Sequence, residues 1–223
     1  MTPWKITIMI VAQTLLSLVL FAGVIAILVF LLRKRMRRYK HIDMGIFDRL
    51  KPHVTPGRNK LMLFITFLGK HHFLIPANLI LIIYFLFIAH QNWFTIRVVT
   101  IALSSLVLML LLKNLFRRKR PLSPLLNAAK GLSFPSGHAI MAVTFYGLVL
   151  YIVWHEVSID WLRLVICFLL LVLILWIGYT RIYLRVHYAS DVLAGFIIGL
   201  LWLLISLAVL AGVEEYVRSL NVN

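Results

Sequence analysis

The feature that most constrains this chain is the length of its apolar runs. Stretches over 6–32, 73–90, 95–113, 138–154, 161–183 and 188–212 reach or approach the roughly 20 residues that cross a bilayer core as α-helix. The runs are continuous rather than alternating, and only helices then leave no backbone group unpaired in hydrocarbon. The composition agrees, with 62% hydrophobic residues and a mean hydropathy of +0.98. The expected fold is all-α: a polytopic membrane protein with six transmembrane helices.

A cleaved signal peptide is the rival reading of the first run. That run is longer than a usual signal core and ends in "RKRMRR" rather than in small residues, so it reads as a transmembrane helix. A basic, amphipathic connector follows over 33–60, and the prolines and glycine of "KPHVTPGRNK" mark it as a surface segment. Residues 1–60 thus read as the first span and its connector, and 61–223 as the membrane core of a single domain. The run "LMLFITFLG" over 61–69 is too short to cross alone, and Gly69, Lys70, His71 and His72 break it from the second span. Cys167 is the only cysteine, which excludes an intramolecular disulfide.

The formal net charge of +16 would suggest nucleic acid as a partner in a soluble protein. Here the basic runs carry no interleaved aromatics and there is little soluble mass to form a groove, so nucleic acid is excluded. Lys and Arg beside anionic headgroups explain much of "RKRMRRYK". They leave "KNLFRRKRP", residues 113–121, unexplained.

If the third span continues as helix, Lys113 and Arg120 lie two turns apart on nearly one face, and Pro121 ends the helix. In "TRIYLRVHYASD", Arg181 closes the fifth span, and His187 and Asp191 stack four apart at the start of the sixth. "PSGH" opens the fourth span with Ser136, Gly137 and His138. With six spans, the loops after the third and fifth fall on one side, so all of these residues can converge at one membrane surface. Carboxylates are scarce, with none between Asp48 and Glu156, which makes Asp191 beside a histidine informative.

Each residue has a simpler explanation. An arginine at a span end commonly snorkels to the headgroups, Ser136 can be an N-cap, and His187 with Asp191 can be a capping pair. Gly195 and Gly199 read as close helix packing. The joint arrangement is what these explanations leave over, because ionisable groups at membrane depth are costly. Fixed cations, free N–H groups at a helix start and two imidazoles suit a phosphoryl group: one imidazole attacks phosphorus and the other protonates the leaving oxygen. Gly137 admits a close anion, Ser136 adds a donor, and His138 stands beside them as an acid.

These motifs resemble those of the type 2 phosphatidic acid phosphatase superfamily, which includes glucose-6-phosphatase and vanadium haloperoxidases. They stand here as Lys113 to Arg120-Pro121, Pro135-Ser136-Gly137-His138, and Thr180-Arg181 to His187 to Asp191, in the family's order and spacing. The resemblance implies His187 as the nucleophile that forms a phosphohistidine, Asp191 as its orienting carboxylate and His138 as general acid. It implies Lys113, Arg120, Ser136, Gly137 and Arg181 as phosphate ligands, with no metal and no cofactor. Thr180 departs from the family's Ser but keeps the hydroxyl. The implied function is hydrolysis of a lipid phosphate or diphosphate in the bilayer, on phosphatidylglycerophosphate, phosphatidic acid or undecaprenyl diphosphate. A lipid phosphotransferase using the same intermediate and a non-enzymatic basic membrane scaffold are the alternatives. On sidedness the two lines of reasoning oppose each other. Lys and Arg outside the spans gather on the site's side, which the positive-inside rule makes cytoplasmic. The resemblance implies an extracytoplasmic site in the cell membrane, and that is the expectation adopted.

Overall fold

The structure, a computed structural model, describes residues 23, 41–121, 125 and 131–220. Apart from Gly23, the expected first span over 6–32 lies outside the described residues. Helix α1 covers 41–50 and is followed by a 3₁₀ turn, Lys51–His53. Next come α2 (Pro56–Leu68), α3 (His71–Ile83, running into a π-helical turn at Tyr84–Ile88), α4 (Asn92–Phe116), α5 (Gly137–Glu156), α6 (Asp160–Tyr183) and α7 (Ala189–Leu220). No strand occurs among the described residues. Five segments are long and apolar enough to cross a membrane: His71–Ile88, Asn92–Phe116, Gly137–Glu156, Asp160–Tyr183 and Ala189–Leu220. They coincide with the last five runs expected from sequence, so this is an all-helical, multi-pass membrane protein.

Local chemistry sets the breaks. Thr55 caps α2 by accepting the Arg58 N–H, and Pro56 takes the first helical position, where a missing N–H costs nothing. Gly69 ends α2, which keeps 61–69 from joining the next span. The end of α4 differs from expectation. The helix stops at Phe116, and Arg117 turns into the left-handed region at φ 48°. The run Arg117–Arg120 is therefore non-helical. Like charges at adjacent turns repel in a continuing helix, whereas an open loop lets each guanidinium find its own partner.

The chain divides into two compact units, one of 39–203 and one of 1–38 with 204–223. In the second, the described residues carry the last turns of α7, which hold an Arg218–Glu214 ion pair at 2.6 Å. In the first, α5 is the most enclosed span, with Ala139, Ile140, Ala142 and Leu148 fully buried. Small residues let α7 approach it closely. A Cβ on Gly195 would meet Ala139 Cβ at 2.8 Å and the Ser136 carbonyl at 2.9 Å, and one on Gly199 would meet the Ile140 carbonyl at 3.1 Å. Gly178 on α6 likewise gives its space to the Phe196 ring. The short α2 is tied to the spans by polar contacts: Tyr146 donates to the Leu68 carbonyl at 2.9 Å, and the Tyr183 hydroxyl meets Asn59 Oδ1 at 3.0 Å. Leu103, Leu111, Phe168 and Leu175 point outward, as lipid-facing side chains do.

Candidate active site

The loop between α6 and α7 carries His187, which is 1% exposed. Its two nitrogens face different chemistry. Nε2 looks toward Arg120, whose Nη1 lies 3.5 Å away and donates to the Val186 carbonyl at 2.9 Å. Nδ1 looks toward Ser133 Oγ at 3.5 Å and Asp191 Oδ2 at 3.7 Å. The Asp191 distance is long for a direct hydrogen bond, and Ser133 lies beside both groups, donating to Asp191 Oδ2 at 2.5 Å. The Ser133 hydroxyl can thus accept from Nδ1–H while donating to the carboxylate, which leaves the Nε2 lone pair directed at the cations. Burial is the main cause that pushes the His187 pKa down to about 4; Asp191 opposes the shift, while Arg181 and Arg120 add to it. The imidazole is neutral at pH 7, as a nucleophile must be.

Asp191 is fully buried. Besides Ser133 it accepts from Arg118 Nη1 at 2.5 Å and from the Tyr188 N–H at 3.0 Å. The last contact is a capping interaction at the start of α7, so the capping role and a place in the site coexist in one side chain.

The cations come from three elements. Lys113, in the last turn of α4, has Arg120 and Arg181 as its cationic neighbours and Asp191 as its anionic one. Arg120 arrives from the loop after α4, its charge disfavoured chiefly by burial and supported by Asp191. Arg181, 5% exposed, donates from Nη1 to Thr66 Oγ1 at 2.6 Å while its Nε has no partner among the described residues. Lys113 and Arg120 lie in one region, and a loop rather than the expected shared helix face brings them together. Three cations with one nearby carboxylate form a site short of negative charge, which suits a phosphate dianion.

Ser136 caps α5 by accepting the Ala139 N–H at 3.5 Å, and a hydroxyl that accepts there can also donate its own proton. At Gly137, a Cβ would press on Met109 Sδ at 2.5 Å and come within 3.7 Å of Lys113 Nζ. The glycine thus makes room for Met109 and leaves Lys113 Nζ in ordinary contact at the helix start. His138 is the second residue of α5, and its buried Nε2 has no partner among the described residues. Its charged and titratable neighbours are Arg181, His187, Lys70 and Lys113. Gly69 lies against it, since a Cβ there would come 3.1 Å from His138 Cδ2. Thr180 donates its hydroxyl to the Ile177 carbonyl at 2.6 Å, which commits its proton inside α6.

Four contributors escaped the sequence reading: Ser133, Arg118, Thr66 and Asp43. Arg118 lay unseen in a basic run, and Ser133 precedes "PSGH" by two positions without a spacing rule to flag it. Asp43 belongs to the segment read as surface connector. Lys51–His53 are indeed exposed, but Asp43 and Phe47 on α1 are 1% and 4% exposed because they pack against the loop around Tyr188.

Known proteins resemble this chain in sequence and fold. Phosphatidylglycerophosphatase B of Bacillus subtilis (strain 168) is 32% identical over 148 residues, covering 66% of this chain and 72% of the relative. The crystal structure of a transmembrane PAP2 type phosphatidylglycerolphosphate phosphatase from Bacillus subtilis superposes with a TM-score of 0.69 at 25% identity, over 92% of this chain and 96% of that one. Aquifex aeolicus LpxE superposes with a TM-score of 0.57 at 25% identity, over 74% and 94%. Residues 93–213, more than half of the 223, match the model of the PAP2 superfamily. By that match and these relatives, the chain belongs to the PAP2 superfamily.

Proposed function

We propose that this protein is a membrane-embedded lipid phosphate phosphatase working through a phosphohistidine on His187. The observation that carries the reading is the placement of a buried, neutral His187 with Nε2 facing Arg120 beside Lys113 and Arg181. The three cations, the Ser136 hydroxyl and the N–H groups opening α5 hold the phosphate oxygens. Nε2 attacks phosphorus, the bond to the lipid oxygen breaks, and His138 gives that oxygen its proton. The proton is held on His138 by the bound phosphate's own charge. Water then attacks the phosphohistidine, losing a proton to His138, and the P–N bond breaks to release phosphate. Asp191, through Ser133, orients the ring and balances the charge it gains. The cations supply the charge stabilisation that a metal would otherwise give, so no metal is assigned.

An in-line displacement puts the leaving group opposite His187, on the His138 side. Gly69 and Lys70 border that side, between α2 and the apolar span α3. The glycerol or prenyl portion of the substrate then extends toward Lys70 with its tail in the bilayer. The names of the relatives favour phosphatidylglycerophosphate, and the short loops favour a broad specificity that includes phosphatidic acid and undecaprenyl diphosphate. We place the site on the extracytoplasmic side of the cell membrane. The test is phosphate release in detergent from these three lipids by wild type and His187→Ala. Release from at least one lipid, lost in the variant, supports the reading; equal release from both proteins removes His187 as nucleophile.

A further inference from the structure

Helix α1 lies outside the residues that match the family, yet it enters the site's scaffold through one carboxylate. Asp43 Oδ2 accepts from Arg118 Nη2 at 2.9 Å and from the Ser190 hydroxyl at 2.7 Å, while its Oδ1 accepts the Ser190 N–H at 3.0 Å. Arg118 uses its other nitrogen, Nη1, on Asp191 at 2.5 Å and on Ser190 Oγ at 2.8 Å. One guanidinium is therefore clamped between two buried carboxylates, one from α1 and one from the site. The Arg118 plane also lies over the Tyr188 ring at 4.1 Å, and that ring stacks on Phe47 of α1 at 5.8 Å. Arg185, just before His187, reaches the Phe47 carbonyl at 3.5 Å.

We propose that Asp43 is a positioning residue for the reaction: through Arg118 and Ser190 it fixes the first turn of α7 and the Asp191 carboxylate, making α1 part of the catalytic apparatus. The inference rests on the phosphatase reading above. The physical case is one of constraint. Arg118 has a planar fork whose two arms are held by different elements, so neither carboxylate can shift without the other. Removing Asp43 leaves a largely buried guanidinium with a single carboxylate, and Asp191, still held by Ser133 and the Tyr188 N–H, loses the anchor that α1 gives its Arg118 partner. Ser133 and the His187 ring, both oriented from Asp191, then lose their register with phosphorus. Asp43 itself does not touch the substrate site, and its effect belongs in turnover and not in phosphate affinity.

The test is a double-mutant cycle on the full chain in detergent, with phosphatidic acid as substrate and wild type and His187→Ala as references. Asp43→Asn is expected to lower kcat on the order of 10- to 100-fold with KM changed by about twofold or less. In an Asp191→Asn background the same substitution should lower kcat by no more than about twofold, because the group it acts through is already gone. If Asp43→Asn does not fold, Asp43→Glu, which keeps the charge but displaces the carboxylate, must show the same non-additivity. Unchanged kcat, a loss confined to KM, or full additivity with Asp191→Asn overturns the proposal while leaving the phosphatase reading intact. A wild type inactive on every lipid phosphate overturns the phosphatase reading, and this inference falls with it.

Discussion

At the scale of single residues, the account turns on the protonation state of His187. Burial removes the solvation an imidazolium needs, and the neighbouring guanidiniums oppose a further positive charge. The pKa of about 4 lies below the ordinary value of 6.5, so the ring keeps its lone pair at any pH above about 4 and loses it only below. Histidine nitrogen NMR, assigned with His187→Ala, should show this ring titrating near 4; a midpoint near 6.5 would contradict the buried, cation-flanked site. Thr180 gives a second prediction. Its hydroxyl proton is committed to the Ile177 carbonyl, so Thr180→Val should leave KM for the lipid phosphate within about twofold and cost chiefly the lost hydrogen bond, about 1 kcal/mol. A tenfold rise in KM would assign it a phosphate contact instead.

Among the elements, the junction of α5 and α7 matters most, because it sets the distance between the two halves of the site. Gly195 lies against Ala139 and the Ser136 carbonyl, and the Ser136 N–H donates to the Asp191 carbonyl at 3.1 Å. Gly195→Val forces these helices apart. Overpacking of this kind costs about 1–3 kcal/mol, so thermal unfolding in detergent should shift down and turnover should fall with it. An unshifted melting temperature would show that the junction tolerates a side chain. The five described spans were legible because continuous apolar runs dictate them, as were Gly195 and Gly199 as packing residues. The end of α4 was not. The stop after Phe116 depends on Arg118 and Arg120 finding partners 66–73 residues away, which periodicity within one segment does not encode. The place of Asp43 was hidden for the same reason, since its partners Arg118 and Ser190 lie 75 and 147 residues along the chain.

For the whole molecule, the convergence of Lys113, Arg120, Arg181, His138, His187 and Asp191 was legible because motif spacing fixes which loop ends hold them. Their supports, Ser133 and Arg118, were not, because one hydroxyl and one cation within a basic run carry no periodic mark. Two predictions belong to this scale. Activity should persist in chelator, since lysine and arginine supply the positive charge; a loss restored by a divalent ion would contradict that assignment. The site should face away from the cytoplasm. Lys119 lies in the exposed loop at the site, whereas Ser158 is exposed in the turn at the opposite ends of α5 and α6. An impermeant thiol reagent added to intact cells should therefore label Lys119→Cys and spare Ser158→Cys, and the reverse pattern would place the site in the cytoplasm.

The most direct test of the central claim is to trap the covalent intermediate. Wild-type protein mixed with a lipid carrying radiolabelled terminal phosphate and quenched in base within the first turnover should retain label that acid releases, as a phosphoramidate does, and His187→Ala should retain none. Label held equally by His187→Ala, or turnover in wild type with no label at any quench time, would contradict a phosphohistidine at His187.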